Sequence, residues 1–162
     1  MQADGTSHAG EPVDASRQCP ANSPQRILVV EDDAATRQVS AQVLACSGYQ
    51  VATAEDGDAG WEALHADHFD LLITDNSMPG LSGLELVEKV RSARLALPVI
   101  LVSGSLHDEE LERRPWLRVA AALLKPVFPH QLLETVKQVL REPHHAGPGP
   151  QLRDTIPGIS RW

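Results

Sequence analysis

The sequence predicts a parallel α/β domain, a five-stranded sheet wound on both faces by helices. Two observations carry this. Between residues 26 and 141, short apolar runs alternate with segments of helical period, the pattern of repeated βα units. Four of the apolar runs also end alike, on polar groups. Ile27–Val30 runs into Glu31-Asp32-Asp33, and Asp70-Leu71-Leu72-Ile73-Thr74 into Asp75. Leu97–Val102 runs into Ser103-Gly104, and Val119–Leu124 into Lys125-Pro126. Parallel strands bring such ends to one edge, where open α/β sheets place their ligand sites.

The elements follow in order. The first strand ends near Val30. Asp33 then stands where a helix cap belongs, before a helix over Ala34 to Ser47. Val39, Val43 and Leu44 supply that helix's apolar face, and Gly48 suits the position just past its end. Tyr49 to Thr53 is a short second strand. Trp61 and Leu64, three apart, mark a second helix that packs on the sheet before the strand ending at Asp75. Ser82-Gly83-Leu84-Glu85 is a capping box. It opens a helix with Leu86, Val87 and Val90 inward and Glu85 and Lys89 as an outward i,i+4 pair. Leu95 to Val102 is the fourth strand, and His107 to Arg114 a short charged helix stopped by Pro115. The fifth strand ends at Leu124. A last amphipathic helix spans Pro129 to Leu140, with Leu132, Leu133, Val136 and Leu140 on one face. Five βα units of this kind give a doubly wound sheet of the flavodoxin-like type, (βα)5.

The flanks differ in composition. Residues 1–25 are rich in Gly, Ser, Pro, Asp and Gln, and residues 142–162 interleave Pro143, Pro148, Pro150 and Pro157 with glycines. Both are expected to be disordered arms around a domain at 26–141. The chain of 162 residues is long enough for one domain with a real core. Its net charge of −8 argues against nucleic acid and acidic membranes as partners. No apolar run approaches membrane-spanning length, and the first residues lack the basic start and apolar stretch of a secretory signal. Cys19 and Cys46 show no metal-ligand spacing, so a reducing cytoplasm is the expected location.

The chemistry follows from what the edge collects. Three nearby carboxylates repel one another and favour partial protonation. A hard divalent cation removes that conflict, and an all-oxygen site with few protein donors suits Mg²⁺. Lys125 adds a compact positive charge. A carboxylate so placed is suited to receiving a phosphoryl group.

From Arg26 to Arg141 these residues, in this order and spacing, resemble the receiver domain of the response regulators of bacterial two-component systems. The resemblance implies the following roles. Asp75 is the phosphoacceptor. Asp32 ligates Mg²⁺ directly, Glu31 acts through water, and the backbone carbonyl of Ser77 is a further ligand beside Asp75. Ser103 is the hydroxyl that moves toward the phosphoryl group, Lys125 neutralises its charge, and the Asn76 and Gly104 amides contact its oxygens. Pro126 implies a cis peptide. The phosphoryl donor would be a histidine kinase or a histidine phosphotransfer protein. The signal would pass to an unknown protein target without nucleic acid, membrane or a separate substrate.

One departure stands out. The family usually places Tyr or Phe three residues before the lysine, and here that position is Ala122, so the usual coupling of hydroxyl to a rotating aromatic is lost. This gives some weight to an alternative, a receiver-like binding module that works without phosphorylation. A Mg²⁺-dependent phosphohydrolase is disfavoured, because Glu31-Asp32-Asp33 lacks the two-apart aspartates such enzymes use. His65, Asp67 and His68 have ligand-like spacing but are read as a solvated helix end. Trp116 is left open between core and partner surface.

Overall fold

The structure is a computed structural model that describes residues 23–105 and 109–141. Expectations for residues 1–22 and 142–162, for Cys19 and for His107 fall outside that range. The elements are β1 (Arg26–Val30), α1 (Ala34–Cys46), β2 (Gln50–Ala54), α2 (Gly57–Ala66), β3 (Leu71–Asp75), α3 (Gly83–Ser92), β4 (Val99–Ser103), α4 (Glu109–Glu112), a 3-10 turn at Pro115–Leu117, β5 (Ala121–Leu124) and α5 (Pro129–Arg141). All pairings are parallel, in the order β2-β1-β3-β4-β5. The chain steps outward from β1 to β2 on one side and from β3 to β5 on the other. The crevice at this switch lies at the ends of β1 and β3, which puts Glu31 beside Asp75.

Alternation along the central strands divides the core. Leu28, Val30, Leu72, Val99 and Leu101 face α2 and α3, meeting Leu84, Leu86, Val87, Val90 and Leu117. Ile27, Val29, Leu71, Ile73, Ile100 and Val102 face α1 and α5, meeting Leu44, Leu132, Val136 and Val139. Every residue of β3 and β4 is buried, as parallel strands covered on both faces must be.

Local signals act as read. Asp33 accepts the Thr36 amide at 2.7 Å and starts α1. Gly48 takes φ +94° past its end, a conformation glycine enters without a Cβ penalty. The Ser82–Glu85 capping box forms both of its bonds, at 3.2 and 2.8 Å. Asp56, not singled out in the sequence, caps α2 by accepting the Ala59 amide at 2.7 Å.

Several boundaries and faces differ from expectation. Val39 is 53% exposed and borders a cleft rather than the core; Leu44 alone in α1 is fully buried. On α5 the third buried residue is Val139, with Leu133 and Leu140 only partly covered. Glu85 is committed to its cap, and Lys89 instead lies 5.7 Å above the Trp61 ring. β4 begins at Val99, not Leu95. Pro98 has no amide for a ladder, and Arg91 takes the Leu95 and Leu97 carbonyls at 3.1 and 2.8 Å. The same guanidinium takes the Leu117 and Arg118 carbonyls at 2.7 and 3.0 Å. Arg118 adopts φ +46°, outside strand geometry, so β5 starts after it, at Ala121 rather than Val119. Among the described residues the charged helix before Pro115 is a single turn, Glu109–Glu112.

Candidate functional site

The carboxyl ends of β1, β3 and β5 converge as the topology requires. Carboxylate oxygens of Glu31, Asp32 and Asp75 lie within 4.8 Å of one another. Glu31 and Asp75 are buried, and Asp32 is exposed. Lys125 reaches across from the end of β5. Its Nζ is 3.0 Å from Asp75 Oδ2 and 3.6 Å from Glu31 Oε2. Its own amide donates to the Ser103 carbonyl at 2.8 Å, and the bond to Pro126 is cis. The backbone thus carries Lys125 to the edge before its side chain turns in.

The two oxygens of Asp75 are treated differently. Oδ1 accepts the Ser77 amide at 3.1 Å. Oδ2 is buried without an aligned hydrogen bond, so its contact with Lys125 is an ion pair. A buried carboxylate oxygen with spare lone pairs, two carboxylates beside it and an ammonium in contact fits a hard cation and an incoming phosphoryl group.

Burial dominates the electrostatics of Glu31 and lifts its pKa to about 7. The charge of Asp75 adds to the rise, while the Asp33 amide and Lys125 oppose it. Burial also disfavours the Lys125 charge, yet Asp75 and Glu31 together hold its pKa above the ordinary value. The Glu31 shift has a definite consequence for stability. Between its unfolded value of 4.5 and about 7, the folded chain holds a proton the unfolded chain has released. Stability from this group therefore falls as pH rises through that window. The metal-free chain is expected to melt lower at pH 8 than at pH 5.5. Glu31→Gln should flatten that slope, and Mg²⁺ should restore stability at pH 8. Melting curves across pH check this; an unchanged slope in Glu31→Gln would assign it to another group.

The remaining expected residues are placed as follows. Ser103 is buried at the end of β4, one residue beyond the Asp75–Val102 pairing, and its Oγ accepts the Ser105 amide at 3.3 Å. At Gly104 a Cβ would meet open space, so that side of the site is accessible. The Asn76 amide donates to the Val102 carbonyl at 2.8 Å, continuing the β3–β4 ladder one residue past the strand. The amide that meets the Asp75 carboxylate is that of Ser77. Asn76 Oδ1 accepts the Leu84 amide at 3.2 Å, tying the segment to the start of α3.

His65, Asp67 and His68 do not converge. His65 Nδ1 meets the Trp61 carbonyl at 2.9 Å, Asp67 pairs with Arg26 at 3.3 Å, and His68 lies 3.9 Å from Asp70. Trp116 is exposed, which settles it as surface.

Residues 27–137 match the family model described as the response regulator receiver domain. The chain belongs to this family. Its receiver is 35% identical over 119 residues to the sensor histidine kinase RcsC of Escherichia coli, covering 74% of this chain and 12% of that protein. It is 35% identical to the response regulator MprA of Mycolicibacterium vanbaalenii, covering 73% of this chain and 51% of that one. The chain therefore spans about half of one of these curated relatives and about an eighth of the other. Among solved structures, a CheY-like receiver from Methanospirillum hungatei superposes with TM-score 0.69 at 33% identity, covering 73% of this chain and 94% of that one. The response regulator TrrA of Thermotoga maritima, solved in complex with Mg²⁺ and BeF, superposes with TM-score 0.64 at 30% identity, covering 71% and 98%.

The receiver also holds a residue that the sequence reading passed over. Arg37 Nη1 donates to the Glu31 and Asp32 carbonyls at 2.7 and 3.3 Å. A signal existed: a cation in a helix's first turn opposes the helix dipole and so asks for a reason.

Proposed function

We propose that this receiver takes a phosphoryl group on Asp75 from the phosphohistidine of a histidine kinase or histidine phosphotransfer protein, in the cytoplasm, and passes the signal to a protein target. The observation that carries this reading is the buried Asp75 Oδ2, without an aligned hydrogen bond and 3.0 Å from Lys125. The carboxylate attacks phosphorus in line. An O–P bond forms, the P–N bond breaks, and its electron pair stays with the imidazole. No separate substrate is turned over, so the receiver is a phosphoacceptor and not an enzyme in the ordinary sense.

Glu31, Asp32, Asp75 and the Ser77 carbonyl would hold Mg²⁺, Asp32 directly and Glu31 through water; the cation would neutralise phosphoryl charge. Lys125 balances the rest. The hydroxyl of Ser103 and the amide of Gly104 would meet phosphoryl oxygens, with the Ser77 amide a third candidate donor. An apolar cleft of about 600 Å³ continues from Asp75 and Lys125 along Val39, Val43, Val127 and Leu132. A phosphodonor protein seated there brings its histidine within reach of Asp75.

Incubation with acetyl phosphate and Mg²⁺ tests the reading by intact mass. One phosphoryl group per chain supports it. No labelling would favour a module that works unphosphorylated; slow release from a labelled chain is hydrolysis of the receiver's own acyl phosphate, and rapid release with no label retained would favour a hydrolase. Lys125→Ala is expected to bind Mg²⁺ at least as tightly and to label more slowly, by roughly 10²–10³-fold, the loss typical when one preorganised charge-stabilising group is removed. A Mg²⁺ titration and a labelling time course check both arms. Parent-like labelling would remove Lys125 from its role.

A further inference from the structure

Arg37 sits in the first turn of α1, where the helix's positive end disfavours a cation. Its guanidinium is turned back onto the β1–α1 loop, with Nη1 on the carbonyl oxygens of Glu31 and Asp32 at 2.7 and 3.3 Å. The other ends of the loop are also tied. The Glu31 amide donates to the Ala54 carbonyl at 3.1 Å. Glu31 Oε1 accepts the Asp33 amide at 3.2 Å, and Asp33 Oδ1 accepts the Thr36 amide at 2.7 Å. Both peptide planes flanking Asp32 are thereby held. The Asp32 side chain is exposed, and those planes set the Cα–Cβ direction from which its carboxylate reaches the site.

We infer that Arg37 is a positioning residue for the cation site: by clamping the Glu31 and Asp32 carbonyls it aims the Asp32 carboxylate at the point shared with Glu31 and Asp75, and so sets the affinity for Mg²⁺. This rests on the reading that those three carboxylates hold Mg²⁺. Two effects of the side chain act with opposite sign. A positive charge near the site repels a cation, so removing it should tighten binding by a small factor, screened by salt. Losing the orientation of a ligand should weaken binding, and outer partners of metal ligands commonly account for 10–100-fold. The direction of the change therefore separates positioning from simple charge.

The experiment uses the full chain with Arg37→Gln and Arg37→Lys, and reads Mg²⁺ dissociation constants by calorimetry. Arg37→Gln is expected to bind Mg²⁺ about tenfold more weakly or worse. Arg37→Lys keeps a cationic donor group but loses the planar guanidinium and its reach, and should fall between Arg37→Gln and the parent. In acetyl phosphate labelling, the Mg²⁺ concentration for half-maximal rate should rise to match. Melting in the absence of Mg²⁺ confirms that both variants are folded; should Arg37→Gln not fold, Arg37→Lys carries the same comparison. Equal or tighter binding in the folded variant overturns the inference while leaving the proposed function intact. A parent chain that binds no Mg²⁺ overturns both.

Discussion

Asp75→Asn is expected to take up no phosphoryl group under conditions where the parent takes up one per chain. The substitution is close to isosteric. Its amide oxygen can still accept the Ser77 amide that Asp75 Oδ1 accepts at 3.1 Å, so the loop after β3 has no reason to move. What disappears is the nucleophile and one of three crowded charges. Two further changes should accompany the loss. The Glu31 pKa, raised in part by the charge of Asp75, should fall back toward the ordinary carboxylate range. The chain without Mg²⁺ should become more stable, because the repulsion between Asp75 and Glu31 is relieved, while Lys125, which loses its 3.0 Å ion pair with Asp75, is partly exposed and keeps Glu31 as a partner at 3.6 Å. Intact mass, the pH dependence of melting and the melting temperature without Mg²⁺ read the three effects separately. Undiminished labelling of Asp75→Asn would show that another side chain is the acceptor.

Gly83→Ala is expected to damage both fold and site, although alanine is the better helix former by about 1 kcal/mol. Gly83 opens α3 directly beneath the phosphoacceptor loop, and its amide donates to the Asn76 carbonyl at 3.2 Å. A Cβ there would overlap the Asp75 carbonyl oxygen and come within 2.9 Å of Asn76 Cα. These are backbone atoms at the end of a strand buried on both faces and in the residue just after it, so they cannot swing aside as a side chain would. Overpacking of this kind costs roughly 1–3 kcal/mol, enough to outweigh the gain in propensity. The shift needed to relieve it moves Asp75 and Asn76 themselves, so labelling by acetyl phosphate should slow as well. Gly104→Ala is the matched comparison. Its Cβ meets open space, and its effect on stability should stay within about 0.5 kcal/mol. Denaturant midpoints for the two variants decide the matter, and equal midpoints would mean that α3 is free to slide on β3.

What could be read in the sequence was what depends on near neighbours. The order and type of the elements follow from period and punctuation. Asp33, Gly48 and the Ser82–Glu85 box act within one turn of their own positions. The convergence of Glu31, Asp75 and Lys125 was legible for a related reason. Parallel winding sends every strand end to one edge, so a polar residue after an apolar run is placed by topology before any contact is known. The family resemblance then added roles that spacing alone could not assign.

The tertiary structure decided where bonds between distant segments fall. It committed the Asn76 amide to Val102 and left Ser77 facing Asp75. It delayed β4 and β5 by spending Arg91 on four carbonyls of two separate loops. Val39 was turned from core to cleft wall, and Arg37 was set behind the acidic pair. An amide or carbonyl must find a partner when buried, yet nothing in its neighbourhood along the chain says which long side chain will arrive from elsewhere. That choice depends on the register of strands and the placement of helices, which exist only once the chain has folded.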